Sequence, residues 1–80
     1  MADFEAHVLR VMSKQSAGMI VGKVYGQTRS GQRFALVKTQ VVWFAVRLIV
    51  EGSEAVEREE FHWEESADDY MSSRKRALET

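Results

Sequence analysis

The feature that most constrains the fold is an apolar segment, residues 41–50, in which Arg47 is the only charged side chain. Successive side chains of a strand point to opposite faces, and both faces of this segment are apolar. Such runs are typical of a strand that is central in a sheet and buried on both sides. The sequence therefore predicts a sheet that has this segment at its centre and is covered on both faces.

A chain of this size has few residues with which to bury the second apolar face of the predicted sheet. The 80 residues form a single domain, residues 1–80, near the lower size limit for one hydrophobic core. One short helix covers one face, so the other needs either a second helix or a second chain. We therefore expect self-association, with a homodimer as the assembly. The residues expected to meet the second chain lie on the odd-numbered face, namely Val41, Trp43 and Ile49.

Two further strands are predicted on the N-terminal side of this segment. Residues 19–27 and 33–40 are rich in β-branched and aromatic side chains, and Ser30-Gly31 between them is a hairpin signal. A two-residue tip gives one register, and a four-residue loop gives another. The register expected for the two-residue tip pairs Tyr25 with Leu36 and Gln27 with Phe34.

Residues 54–64 are ambiguous, because their many glutamates favour a helix. A tight turn at Gly52-Ser53 would instead make them a strand that pairs with the central segment. This hairpin is preferred, because it places apolar residues opposite one another. The pairs that it predicts are Val50 with Ala55, Phe44 with Phe61 and Val42 with Trp63.

Helices are predicted at the two ends of the chain. Residues 66–78 begin with Ser66 and Asp69 at capping-box spacing and carry basic residues in the last turns. Residues 3–15 have an apolar helical stripe but also alternate like a strand, with helix slightly favoured. The fold class is therefore α+β: a small antiparallel sheet of three to four strands, a C-terminal helix and, if residues 3–15 are helical, an N-terminal one.

Glycine recurs every four residues at Gly18, Gly22 and Gly26. In a strand these three positions share a face, which then lacks side chains and forms a smooth groove. A groove of this kind admits a packed helix, an aromatic ring or a nucleic-acid backbone. The preferred interpretation is relief of crowding beneath a helix.

Charge is sorted along the chain. Residues 1–50 carry seven basic and two acidic side chains, residues 51–69 carry one and nine, and residues 70–80 carry three and one. Such asymmetry concerns partners rather than fold. The leading expectation is a non-enzymatic binding module, of inhibitor or adaptor type as in phages and mobile elements, that binds a basic protein site. Its expected binding residues are Glu57, Glu60, Glu64, Glu65 and Asp68.

Two alternatives remain open. The hairpin carries a basic set that suits nucleic acid, although the pI of about 6.1 is low for such proteins. This set consists of Lys23, Arg29, Arg33 and Lys38. In the other alternative, the chain is a structural subunit of a larger assembly.

Several classes of function are not expected. The chain has no cysteine, and His7 and His62 lie far apart, so no metal site, disulfide or cofactor is expected. No spacing suggests a nucleophile with its base, so we expect no catalysis. The N-terminus lacks the pattern of a signal peptide and no apolar run would span a membrane, so a cytoplasmic protein is expected.

Overall fold

A computed structural model describes residues 2–15, 18–53 and 55–80. It contains a four-stranded antiparallel sheet in the order β1-β2-β3-β4, with a helix before it and a helix after it. The small α+β fold predicted from the sequence is confirmed: the first ambiguous segment is helix as far as Lys14, and residues 56–61 of the second form a strand. The elements are α1 (Ala2–Lys14), β1 (Met19–Gln27), β2 (Arg33–Gln40), β3 (Phe44–Val50), β4 (Val56–Phe61) and α2 (Glu64–Glu79).

The two helices cover opposite faces of the sheet. One cluster joins Phe4, Val8 and Met12 of α1 to the odd-numbered residues of β2 and β3. The other joins Ala67 and Met71 of α2 to their even-numbered residues. The first sheet set is Ala35, Val37 and Ile49, and the second is Phe34, Leu36, Val46, Leu48 and Val50.

The second helix removes the reason for expecting a partner chain on the odd-numbered face. Ile49 is only 1% exposed and lies in the cluster beneath α1. It is therefore a core residue and has no surface left with which to meet a second copy. Val41 and Trp43 are treated below, because they lie outside the strands.

The β1–β2 hairpin has a longer loop than the two-residue tip, and its expected register is wrong by one residue. Gln27 lies opposite Arg33, and Tyr25 lies opposite Ala35. The backbone N–H of Thr28 donates to the carbonyl of Gln32 at 2.8 Å, and that of Gly31 donates to Thr28 at 2.9 Å. Gly31 has a φ of 93°, the left-handed conformation that closes a loop of this length.

The apolar segment 41–50 is strand only from Phe44 onwards. Gln40 lies opposite Phe44, so residues 41–43 make the reversal from β2 to β3. The prediction of a strand through these three residues is wrong, because an antiparallel neighbour must turn back within the apolar run. The β3–β4 register is otherwise as predicted, with Phe44 opposite Phe61 and the N–H of Val50 donating to Ala55 at 3.2 Å. The expected pair of Val42 with Trp63 lies outside the paired strands, because β3 begins at Phe44 and β4 ends at Phe61.

Helix α2 starts two residues earlier than expected. Its N-cap is Trp63, in an extended conformation, and no side chain of the described residues caps it. Ser66 therefore lies inside the first turn, and the expected capping box with Asp69 does not form. Glu64 and Glu65 occupy this turn instead, where their negative charge is favourable for the helix dipole.

Of the three glycines, two lie in β1, and Gly18 precedes it. The side chain of Phe34, fully buried, lies against Gly26, where a Cβ would have less than 3.0 Å to the ring. The glycine thus makes room for an aromatic ring on the face covered by α2.

Candidate functional site

Exposed apolar side chains gather where β2 ends and β3 begins, beside the end of β4. We call the set Val41, Val42, Trp43, His62 and Trp63 the aromatic end. Val41 is 71% exposed, Val42 84% and Trp63 69%. Large aromatic and apolar side chains grouped in this way on a small protein mark an interaction surface.

Local contacts fix the shape of the aromatic end. The ring of Trp43 stacks on that of His62, with centroids 5.1 Å apart and planes at 20°. Gly18 has a φ of 81°, and a Cβ there would lie less than 3.0 Å from Val41. The backbone at Gly18 therefore packs against the Val41 side chain, although Val41 remains largely exposed to solvent.

Carboxylates stand beside the aromatic end. Glu60 lines the same cleft as Trp43, and Glu64 and Glu65 follow Trp63 directly in the first turn of α2. We call these three residues the carboxylate rim. Glu65 is exposed, and the side chain of Glu64 is 59% exposed.

The other acidic residues singled out in the sequence, Glu57 and Asp68, are held in ion pairs, as are Glu60 and Glu64 of the rim. Glu57 accepts from Arg74 at 2.9 Å, which ties β4 to α2. Asp68 accepts from Lys38 at 2.6 Å, and Glu64 accepts from the same ammonium at 3.3 Å. Four of the five expected acidic residues are therefore paired within the chain, and only Glu65 has no ion pair among the described residues.

Lys38 is a structural residue on the face covered by α2. Its side chain is 9% exposed, and its ammonium lies 5.7 Å from the centre of the Phe44 ring. The hydrogen bond to Asp68 is the main cause that raises the pKa of Lys38, against the effect of burial. An ammonium held in this way is oriented towards α2.

The remaining basic candidates of the hairpin do not converge either. Arg33 forms a two-nitrogen ion pair with Glu51, which raises the pKa of Arg33 and lowers that of Glu51. Lys23 lies 3.6 Å from Glu5 of α1. Arg29 is exposed in the loop of the hairpin. Three of the four basic residues are therefore neutralised within the chain, and they are divided between the two faces.

Sequence reasoning gave no role to a second basic pair on the α1 face. Arg47 lies directly opposite Arg58, and both line a cleft of about 330 Å³ with Gln15, Thr39, Trp43 and Glu60. We call these six residues the arginine cleft. Two signals were available: Arg47 is the only charge in an apolar run, and the predicted β3–β4 register already placed Arg58 opposite it.

No group of three or more His, Cys, Asp or Glu side chains in the part of the chain that the structure describes is arranged to hold a metal ion. No helix among those residues combines the length and the apolar character needed to cross a membrane.

The protein matches no protein-family model, no curated protein and no solved structure. The geometry of its own residues is therefore the basis for a functional assignment.

Proposed function

We propose that this protein is a non-enzymatic protein-binding module whose aromatic end and carboxylate rim together engage a basic, apolar segment of a partner protein. The observation that carries the proposal is the exposure of Val42 and Trp63, 84% and 69%, beside the acidic first turn of α2. Both side chains belong to a fold whose two cores are already complete, so burying them in a partner gains free energy without disturbing the domain.

The composition of the surface suits tight binding. Tryptophan is among the side chains that most often contribute the largest share of binding energy. The stack of Trp43 on His62 reduces the number of conformations that binding must freeze.

The charge of the rim determines the kind of partner. Glu60, Glu64 and Glu65 adjoin the aromatic end. Glu60 is paired with Arg58 and Glu64 with the nearly buried Lys38, so Glu65, exposed in the first turn of α2, contributes most of the attraction for a cation. A partner with lysine or arginine around an apolar anchor would meet opposite charge. Such complementarity raises association rates and selects partners, and it weakens as salt increases.

A direct test uses two synthetic peptides of equal length, one alternating leucine with lysine and the other alternating leucine with glutamate. The tryptophan indole N–H signals of the protein are followed by NMR during each titration. We expect saturable shifts of Trp43 and Trp63 with the lysine peptide and none with the glutamate peptide. Equal responses to both peptides would contradict the proposal.

Variants locate the contact. Val42→Ser combined with Trp63→Ser should remove the response of Trp43, because the apolar anchor is lost while the core is intact. Leu9→Ser is the matched control, since Leu9 is 44% exposed on α1 and should not affect peptide binding. Binding that survives the double variant would place the interaction elsewhere.

A charge-reversal pair tests the rim. Glu65→Lys and Glu79→Lys change the net charge equally, but the two residues lie near opposite ends of α2. We expect Glu65→Lys to weaken the lysine peptide at low salt and Glu79→Lys to leave its affinity unchanged. Equal effects of the two variants would mean that net charge alone attracts the peptide.

Self-association and location form part of the same proposal. A second copy of the chain is the other occupant to be tested at the aromatic end, by sedimentation of the wild type against the Val42 and Trp63 double variant. A dimer lost in that variant would reassign the surface to homodimerisation. The cysteine-free composition suits a reducing compartment, so we propose the cytoplasm as the place of action.

The nucleic-acid alternative has less support. Lys23, Arg33 and Lys38 are engaged by carboxylates of the same chain. A basic ribbon that tracked a phosphate backbone would first have to break these ion pairs.

A further inference from the structure

We propose that the arginine cleft is a binding site for an oxyanion, a phosphate or carboxylate group held between Arg47 and Arg58. The site lies on the α1 face of the sheet. It goes beyond the proposed binding of a basic segment, with which it shares the side chains of Trp43 and Glu60, and Val41 and Val42 of the aromatic end also line the cleft.

The placement of the two guanidinium groups is set by the sheet. Arg47 and Arg58 are directly opposed on neighbouring antiparallel strands, so their Cβ atoms lie within about 5.5 Å. Like charges at this distance destabilise a strand pair unless an anion lies between or beside them. Both side chains extend into a cleft that is open to solvent and large enough for a small anion.

The groups already present compensate only one of the two charges. Glu60 forms an ion pair with Arg58, whereas Arg47 donates to the neutral amide oxygen of Gln15. Glu60 is the single carboxylate among the residues that line the cleft. One positive charge therefore remains uncompensated.

Arg47 also retains an unused donor. Its Nε is buried and has no hydrogen-bond partner among the described residues. Burial, followed by the nearby charge of Arg58, lowers the pKa of Arg47. A buried unpaired donor is costly. Because this Nε is closed to solvent, the Arg47 side chain must turn before an oxyanion accepts from it, and binding would then relieve that cost.

The remaining walls fit an anion with a small organic part. Thr39 is 1% exposed and its hydroxyl donates to the carbonyl of Ala45 at 3.5 Å, so it borders the cleft without offering a donor to the anion. Trp43 forms an aromatic wall, fixed by its stack on His62. The planar guanidinium forks are suited to two-oxygen recognition of either phosphate or carboxylate.

The test is an NMR titration of the full chain that follows the arginine Nε–Hε signals. Sodium phosphate and sodium acetate are added separately, with sodium chloride balancing the ionic strength. We expect the Arg47 signal to shift saturably with at least one of these oxyanions, and the signal of exposed Arg29 to respond weakly and without saturation. Saturation by phosphate alone assigns a phosphate site, and saturation by both assigns a general oxyanion site.

Variants separate a built site from general attraction of anions. Arg58→Gln should weaken the oxyanion about tenfold, the effect of losing one charged hydrogen-bond donor. Arg29→Gln removes the same charge at the hairpin loop and should leave the affinity unchanged. Both positions are at the surface, so each variant is expected to fold.

The proposal is overturned if Arg47 responds to both oxyanions no more than Arg29 does, or if Arg58→Gln and Arg29→Gln have equal effects. These outcomes are independent of the peptide titrations, because Trp63→Ser alone leaves every residue that lines the cleft in place. Oxyanion binding by that single variant would show that the cleft acts without the exposed tryptophan of the aromatic end.

Discussion

The ring of Phe34 lies against the backbone of Gly26 on the neighbouring strand, in the space where any other residue would carry its Cβ. Phe34 is fully buried in the cluster beneath α2, so its ring has little freedom to move aside. This contact joins an edge strand of the sheet to the largest residue of the core.

We expect Gly26→Ala to destabilise the protein by about 1–3 kcal/mol, the usual cost of overpacking a core. Gly22→Ala is the matched control on the same strand face, because a Cβ there would be 3.6 Å from the nearest atom of Lys38, an ordinary contact. Its expected effect lies between none and a gain of about 1 kcal/mol. Urea denaturation of both variants measures the difference, and equal stabilities would contradict the role of Gly26.

Asp68→Asn should lower stability at neutral pH by about 1 kcal/mol, a modest value because Asp68 is half exposed although Lys38 is nearly buried. Asp69→Asn, at an exposed neighbouring position, is the control and should have almost no effect. The comparison is made by thermal or urea unfolding at neutral pH. A larger loss in the control would show that helix charge, and not the contact with Lys38, is responsible.

The same pair has a defined dependence on pH. The pKa of Lys38 is raised in the folded protein, so its contribution is complete below the unfolded value of about 10.4 and is lost as pH rises through the folded pKa. The deficit of Asp68→Asn relative to wild type should therefore persist at neutral pH and shrink in strong alkali. A deficit that stays constant would refute this linkage.

Acid should weaken the contact between Arg33 and Glu51. The pKa of Glu51 is lowered, chiefly by the hydrogen bond from Arg33. Its stabilisation is thus present above the unfolded pKa of about 4.3 and is lost as pH falls through the folded value. We expect Glu51→Gln to lower the melting temperature at neutral pH and to approach the wild type in acid. Melting temperatures of the wild type and the variant, measured from neutral to acidic pH, test this convergence. A difference in melting temperature that is the same at every pH would contradict it.

Arg47→Met should raise stability, by about 1 kcal/mol, because it replaces a partly desolvated charge that faces another arginine with an apolar side chain. Arg58→Met is the comparison: it removes the same facing charge, but its side chain is 52% exposed and is paired with Glu60, so a smaller gain is expected. Unfolding in low-salt buffer without added oxyanions measures both. Destabilisation by Arg47→Met would show that the bond to Gln15 outweighs the burial of charge.

Local patterns were sufficient for much of the fold. Strands β1 and β2 begin and end at the predicted residues, because their β-branched content and flanking turns agree. The pairing of Phe44 with Phe61 followed from matching apolar residues across a tight turn. Residues 3–15 fitted both an apolar helical stripe and a strand-like alternation. The packing of the apolar side chains of α1 against the sheet shows that the helical pattern was the correct one.

The errors arise where a local pattern has two physical outcomes. An apolar run does not reveal whether it is buried, so Val41 and Val42 resembled core although they form an exposed reversal. The start of α2 at Glu64 does not depend on a side-chain cap, so the polar signal at Ser66 was misleading.

The candidate sites required tertiary structure. Trp63 was expected in the core opposite Val42, and its exposure follows from the end of β4 at Phe61. Lys38 belonged to a basic set in the sequence, but α2 brings Asp68 to within 2.6 Å of it. Contacts between residues so distant in sequence depend on where the helices dock, which neither composition nor periodicity specifies.

The burial of β2 on both faces has a consequence for how the strand finds its alignment. In a sheet with one solvent-exposed face, a register slip of one residue moves the apolar side chains from the core to solvent. The slipped register is then disfavoured by the hydrophobic effect. A slip of β2 would exchange one apolar set for another, Phe34 and Leu36 for Ala35 and Val37. These sets differ in volume, and close packing tolerates such an exchange poorly. The register of β2 is therefore determined by how well each side chain fits against Gly26 and the two helices. In a sheet with one exposed face, the polarity of the side chains determines it instead.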